Sequence, residues 1–240
     1  MELQRRRGVA LWRQIYDLIA FQIAEQELAP GDKLPTEQEL SRSFGVNRHT
    51  VRRALAALEE RELIRTAHGS GSYVREQVID YAVGRRTRFH ENLLRQQRRP
   101  RGELISTSVI PAVSAVAGAL NLERGEEVIV LETLGEADGV PVTLAKGYFP
   151  QKRFAGLADH YQRTGSVTLS LKEYGVDDYR RKITSISARM PNARDARLLR
   201  QPGNRPVLVA EALNVDTAGD PVEYCITRFA SDRIQIVVEP

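Results

Sequence analysis

The stretch Asn47 to Glu60, NRHTVRRALAALEE, restricts this chain more than any other. Wound as a helix at about 100° per residue, it puts Val51, Ala54, Leu55 and Leu58 on one face. Arg48, His49, Arg52 and Arg53 gather on the opposite side, towards the N-terminal end. Asn47 suits the cap position, because its side-chain oxygen can accept from a free backbone N–H of the first turn. A helix that enters the major groove of DNA needs this asymmetry: its first turns meet the duplex while a scaffold holds its other face. A solvated charged face on an ordinary amphipathic helix would look the same, so the neighbouring residues decide.

Just upstream, Leu34 to Leu40 reads LPTEQEL. Thr36 and Glu39 have the spacing of a reciprocal capping box, and Leu40 and Phe44 supply an apolar stripe. Gly45-Val46 then turns the chain directly into Asn47. Helix, glycine turn, basic helix is the helix-turn-helix pattern. Beyond it, Leu63-Ile64-Arg65 and Ser72-Tyr73-Val74 predict two short strands. His68-Gly69-Ser70-Gly71 joins them as the tip of a wing that would meet the minor groove. Ala10 to Glu27 reads as a preceding helix, with Leu11, Ile15, Leu18 and Ile19 along one stripe and Trp12 at its junction with the rest. Ala29-Pro30-Gly31-Asp32-Lys33 is the turn that ends it. Met1 to Gly8 reads as an arm whose Arg5, Arg6 and Arg7 could touch phosphates.

On LPTEQEL, FGVNRHTVRRAL and LIRTAHGSGSYV, the segment Leu11 to Val74 resembles the DNA-binding domain of the GntR family of bacterial transcription regulators. The resemblance implies a winged helix-turn-helix with DNA contacts from Gln38, Asn47, Arg48, His49, Thr50, Arg52, His68 and Gly69. Some relatives carry arginine where this chain has Gln38; a glutamine there can read adenine.

A length of 240 residues allows one or two domains. The formal net charge is +4 and the pI about 9.3, with the excess of cations in the first half of the chain. So modest a charge implies that geometry, more than bulk electrostatics, selects sites on nucleic acid. The single cysteine, Cys225, excludes a disulfide framework within the chain and fits a reducing cytoplasm. The N-terminus lacks the apolar core of a secretion signal, and no apolar run is long enough to span a membrane. His49, His68, His90, His160 and Cys225 stand apart, so no metal is expected. Neither a phosphate-cradling glycine loop nor a nucleophile motif appears, so no cofactor and no catalysis are expected.

Residues 76–88 read as a linker by composition, with Gly84 as a hinge. A helix is predicted from Thr87 to Gln97. From Gly102 the pattern becomes strand-like: Leu104–Ile110, Val128–Leu134, Val140–Phe149, Arg181–Ala188, Val207–Val215, Val222–Phe229 and Ile234–Val238. Asp138-Gly139 and Gly219-Asp220 are hairpin turns. Helical patches fall at Ala112–Leu120, Val167–Tyr174 and Ala193–Leu199. Paired strands with separate helices predict an α+β domain on an antiparallel sheet. The expected organisation is a DNA-binding domain over 1–75, the linker over 76–88 and a second domain over 89–240.

On TRFHENL, EADGVPV, YFP, ARLL, PVL and GDPVEY, the stretch from about Arg88 to Glu239 resembles the effector-binding UTRA domain of the HutC subfamily, which shares its fold with chorismate lyase. The resemblance implies a homodimer on an inverted-repeat operator and a small-molecule effector. It carries effector-site roles to Thr87, Arg88, Phe89, Ser166 and Glu223. Relatives that bind sugar phosphates use two arginines where this chain has Thr133 and Gly135, and an acidic residue where it has Ala145. Phosphate or phosphonate could instead be held by Arg88, Arg181 or Arg228, with Tyr148 or Tyr174 donating. The runs ETLGEADGVPV and TRFASDRIQIVVEP are most similar to regulators of phosphonate uptake and breakdown, which implies a repressor of such genes. Urocanate and amino-sugar phosphates are the alternative effectors. A chorismate-lyase-like enzyme is the rival class, and it would have no need of an attached winged helix.

Overall fold

A computed structural model describes residues 9–25, 27–28, 30–67, 71–75 and 78–238. They form two compact units that divide between Gln77 and Val78.

In the first unit, α1 (Leu11–Ala24), α2 (Glu37–Phe44) and α3 (Arg48–Glu60) precede a hairpin of β1 (Ile64–Ala67) and β2 (Gly71–Val74). The caps form as the sequence predicts. Thr36 Oγ1 accepts from the Glu39 backbone N–H at 3.3 Å, and Glu39 Oε2 accepts from the Thr36 N–H at 2.8 Å. Gly45 ends α2 in the left-handed region (φ 63°), a conformation that costs a residue without a Cβ least. Val51, Ala54, Leu55 and Leu58 are buried with Ile15, Ile19, Leu40, Phe44 and Ile64 in one core. The stripe of α1 differs from expectation: Ile15 and Ile19 are buried, whereas Leu11 is exposed and Leu18 only half-buried. The helix also stops at Ala24, earlier than predicted.

The second unit is α+β. It contains β3 (Ile79–Ala82), α4 (Phe89–Arg95), β4 (Pro100–Pro111), α5 (Ser114–Leu120), β5 (Glu127–Ala137), β6 (Val140–Pro150), α6 (Gln151–Phe154), α7 (Leu157–Thr164), α8 (Val167–Lys172), β7 (Tyr179–Arg189), α9 (Ala193–Leu198), β8 (Val207–Asp216), β9 (Pro221–Ala230) and β10 (Ile234–Val237). Six of the strands make an antiparallel sheet in the order β4-β5-β6-β9-β8-β7. Asp138 (φ 52°) and Gly139 (φ 80°) close the β5–β6 hairpin as a two-residue turn of the kind that needs two positive φ angles.

Strand side chains alternate between two faces. One face packs Ile129, Leu131, Phe149 and Val222 against Phe154, Leu157, Tyr161 and Leu171 of α6, α7 and α8. The other face packs Val128 and Val130 against Val116, Ala117 and Leu120 of α5. Each face therefore buries its own apolar layer.

The linker expected over 76–88 requires correction. Ile79–Ala82 is a strand paired in parallel with β10, and Ile79 and Tyr81 are buried against Phe229 and Ile234. A strand of four residues is too short for its alternation to stand out, and its partner lies at the other end of the unit. Gly84, expected as a hinge, falls inside this second unit; its N–H donates to Thr87 Oγ1 at 3.1 Å. Helices α6 and α7 were not foreseen either, because few residues of QKRF and LADHYQRT are apolar. Among the described residues, no helix is long and apolar enough to cross a membrane.

Candidate functional site

In the first unit, the first turn of α2 and the outer face of α3 share one surface. Gln38, Arg48 and His49 are exposed on it. Asn47 spends its side-chain oxygen on the cap, accepting from the Thr50 N–H at 2.9 Å and the Thr50 hydroxyl at 3.1 Å. Arg52 is held by Glu37, the first residue of α2. Its Nε donates to Glu37 Oε1 at 3.1 Å and its Nη2 to Oε2 at 2.9 Å. The hydrogen bond from Arg52 keeps the Glu37 carboxyl below the usual carboxylate range. Arg53 serves packing: its guanidinium lies 4.5 Å over the Trp12 ring, which gives Trp12 its place between α1 and α3. His68 and Gly69 lie outside the described residues. Sequence reasoning missed Glu37, since nothing in the spacing reveals that α2 sets a carboxylate against α3.

In the second unit, a cavity of about 110 Å³ opens on the sheet face that carries α7 and α8. Thr87, Arg88, Phe89, Ser166, Arg181 and Glu223, all named from sequence, line it together. Arg88 is buried; its Nη2 donates to Asp178 Oδ1 at 3.1 Å and to the Tyr179 carbonyl, and its guanidinium stacks on the Tyr179 ring. Arg181 Nη1 donates to Cys225 Sγ at 3.7 Å. The Nε atoms of both arginines are buried with no hydrogen-bond partner among the described residues, as is Asn214 Oδ1. Glu223 Oε2 accepts from Asn214 Nδ2 at 2.6 Å across the β8–β9 register. Burial pushes the Glu223 carboxyl above its ordinary range, against the pull of Arg181, Asn214 and Arg88. Burial likewise raises the Cys225 thiol to about 12, so it stays neutral. The cavity thus sets the cationic donors Arg88 and Arg181 beside the carboxyl of Glu223 and the amide of Asn214.

Small residues on β5 and β6, Thr133, Gly135, Thr143 and Ala145, line the sheet side of the cavity. A Cβ on Gly135 would meet Thr143 Oγ1 at 2.3 Å and the Phe89 ring at 2.7 Å. Ser166 lines the cavity, but its hydroxyl oxygen caps α8, accepting from the Leu169 N–H at 3.3 Å. With six residues, α8 supplies little dipole.

Tyr148 and Arg228 are corrections. Tyr148 packs beside Val128 and Val130 on the opposite face of the sheet. Arg228, next in sequence to the cavity-lining Thr227, points away from it; its Nε donates to the Leu144 carbonyl and it lies 3.9 Å from Glu132. Period-2 alternation excludes both from the cavity. Tyr174, the other hydroxyl donor considered, donates to the Ala155 carbonyl. Asn214 and Tyr81 were missed; Asn214 sits opposite Glu223 in a register that only the pairing reveals. Among the described residues, no group of His, Cys, Asp and Glu could hold a metal ion.

Comparison with known proteins converges on these two units. Residues 11–74 match the model of the bacterial regulatory proteins of the gntR family, and residues 95–235 match that of the UTRA domain. An HTH-type transcriptional regulator of Rhizobium meliloti (strain 1021) is 41% identical over 99% of this chain and 98% of its own. The transcriptional regulator PhnF of Escherichia coli (strain K12) is 36% identical over 90% of this chain and 91% of its own. The fold matches the crystal structure of PhnF from Mycobacterium smegmatis with a TM-score of 0.67, at 24% identity, over 97% of this chain and 99% of that one. The domains and relatives are those of transcriptional regulators and not of enzymes, which sets aside the lyase reading. The winged helix-turn-helix in front and the antiparallel UTRA sheet behind are the two parts of one protein type: this chain belongs to the GntR family of transcriptional regulators.

Proposed function

We propose that this chain is a homodimeric, ligand-responsive repressor that reads an inverted-repeat operator and takes a small phosphonate or phosphate as effector. Gln38, Asn47, Arg48, His49, Thr50 and Arg52, with the wing-tip His68 and Gly69, contact the duplex. The cavity of the second unit holds the effector, through Thr87, Arg88, Phe89, Ser166, Arg181 and Glu223. The carrying observation is that Arg88 and Arg181 converge on one cavity with a buried N–H left over on each. A buried donor without a partner costs about 1–3 kcal/mol, and an oxyanion that accepts from both recovers it. Thr133 and Gly135 remove two guanidinium groups, and with them the bidentate grip on a phosphate ester. That favours a compact anion over a sugar phosphate. The target genes on this reading serve phosphonate uptake and use, as the likeness to phosphonate regulators and to PhnF of E. coli supports.

The test is a thermal-shift screen of the full chain with methylphosphonate, phosphate, urocanate and glucosamine 6-phosphate. Methylphosphonate or phosphate should raise the melting temperature, and Arg181→Met should abolish the rise. A rise with urocanate or glucosamine 6-phosphate alone contradicts the effector assignment.

A further inference from the structure

We infer that Glu37 sets base specificity in the DNA reader, gripping one edge of Arg52 so that the other edge reads a guanine. The inference rests on the reading of α3 as the helix that enters the groove.

An arginine carries five N–H donors in a rigid planar fork. Glu37 takes the side edge, Nε and one hydrogen of Nη2, at 3.1 and 2.9 Å. The end of the fork, Nη1 and the second hydrogen of Nη2, stays clear of that pair. Its two parallel donors match the O6 and N7 acceptors that guanine shows in the major groove. Adenine presents an amino donor where guanine has O6, so the same edge is rejected there. The carboxylate strengthens the choice. A phosphate gripped by this guanidinium would lie close to the Glu37 charge, whereas a neutral base edge is not repelled. Arg52 is 63% exposed, and α2 fixes the carboxylate that orients it. Two helices from one core therefore hold a long side chain in one pose, at lower entropy cost on binding.

A simpler role would also put an acidic residue here. Glu37 begins α2, where negative charge favours the helix dipole, and the ion pair could be no more than a surface contact. The two roles differ in what they do to base preference.

The experiment selects a sequence from a randomised duplex pool with the full-length protein. Affinity is then measured for that duplex and for its single-base variants, across a salt series. With the wild type, one guanine per half-site should fall in preference when Arg52→Ala or Arg52→Lys is introduced. Lysine keeps the charge but lacks the fork, so it should lose the preference while the salt slope stays. Glu37→Gln should reduce preference for that same guanine by about tenfold, and Glu37→Gln/Arg52→Ala should behave as Arg52→Ala alone. Circular dichroism confirms that each variant is folded. The inference is overturned if Glu37→Gln tightens binding to all duplexes alike, steepens the salt slope and leaves base preference intact. It is equally overturned if Arg52→Ala changes no base preference. If the wild type selects no sequence at all, the fault lies with the DNA-reading assignment itself.

Discussion

Glu132 of β5 lies between two arginines, Arg194 and Arg228, on the sheet face opposite the cavity. Arg194 donates to both its oxygens at 2.5 Å, and Arg228 lies 3.9 Å away. The Arg194 hydrogen bonds hold the Glu132 carboxyl below its ordinary 4.5, against the effect of burial. A carboxyl whose pKa is lower in the folded state stabilises fully above 4.5, and that stabilisation is lost as pH falls through the folded value. The melting temperature of the wild type should therefore fall as pH drops below about 4.5. Arg194→Ala should cost about 1–2 kcal/mol at pH 7, discounted because Arg194 is half exposed, and should flatten that acid dependence. A variant with unchanged stability and an unchanged acid limb would remove Glu132 as a contributor. In the first unit, Asn47→Ala should cost about 1 kcal/mol by freeing the first turn of α3, measurable by urea unfolding. Arg52→Ala should instead leave stability nearly unchanged and weaken operator binding by about 1–3 kcal/mol, measured by fluorescence anisotropy.

At the scale of elements, β5 shows how a strand can shape a site by what it lacks. Gly135→Ala should destabilise the second unit by about 1–3 kcal/mol, because its Cβ meets Thr143 and Phe89 far inside contact distance. The same change should fill the cavity and abolish the thermal shift with methylphosphonate. Gly203→Ala, with open space at its Cβ, is the matched control and should be near neutral. This element also marks the limit of what could be read in advance. The long strands of the sheet were legible as strand-like runs rich in Val, Ile, Leu and Thr, two pairs of them joined by the Asp138-Gly139 and Gly219-Asp220 turns, and α3 because its apolar and basic faces separate cleanly. Arg88 and Glu223, carried over from the family resemblance, and Arg181, chosen by residue type, line one cavity. Tyr148 and Arg228 were misplaced because a one-residue step along a strand moves a side chain to the other face. Asn214 escaped notice because its meaning comes from its partner across β8 and β9. The strand β3 and the Glu37–Arg52 pair escaped for the same reason, since each depends on a residue distant in sequence.

At the scale of the whole molecule, the proposal joins two units by one free-energy coupling. A ligand in the second unit alters operator binding only through unequal affinity for the DNA-bound and free forms of the dimer. Linkage is reciprocal, so operator DNA should weaken ligand binding by the same factor that ligand weakens DNA binding. A homodimer reading two half-sites also requires two-fold symmetry in the duplex, so a single half-site should bind much more weakly. The most direct measurement is operator affinity of the full-length protein at physiological ionic strength, by fluorescence anisotropy, with and without saturating methylphosphonate. The account predicts a preference for one promoter fragment over random duplex, and a loss of about fivefold or more in affinity when the ligand is added. Methylphosphonate that binds the protein yet leaves operator affinity unchanged would contradict it.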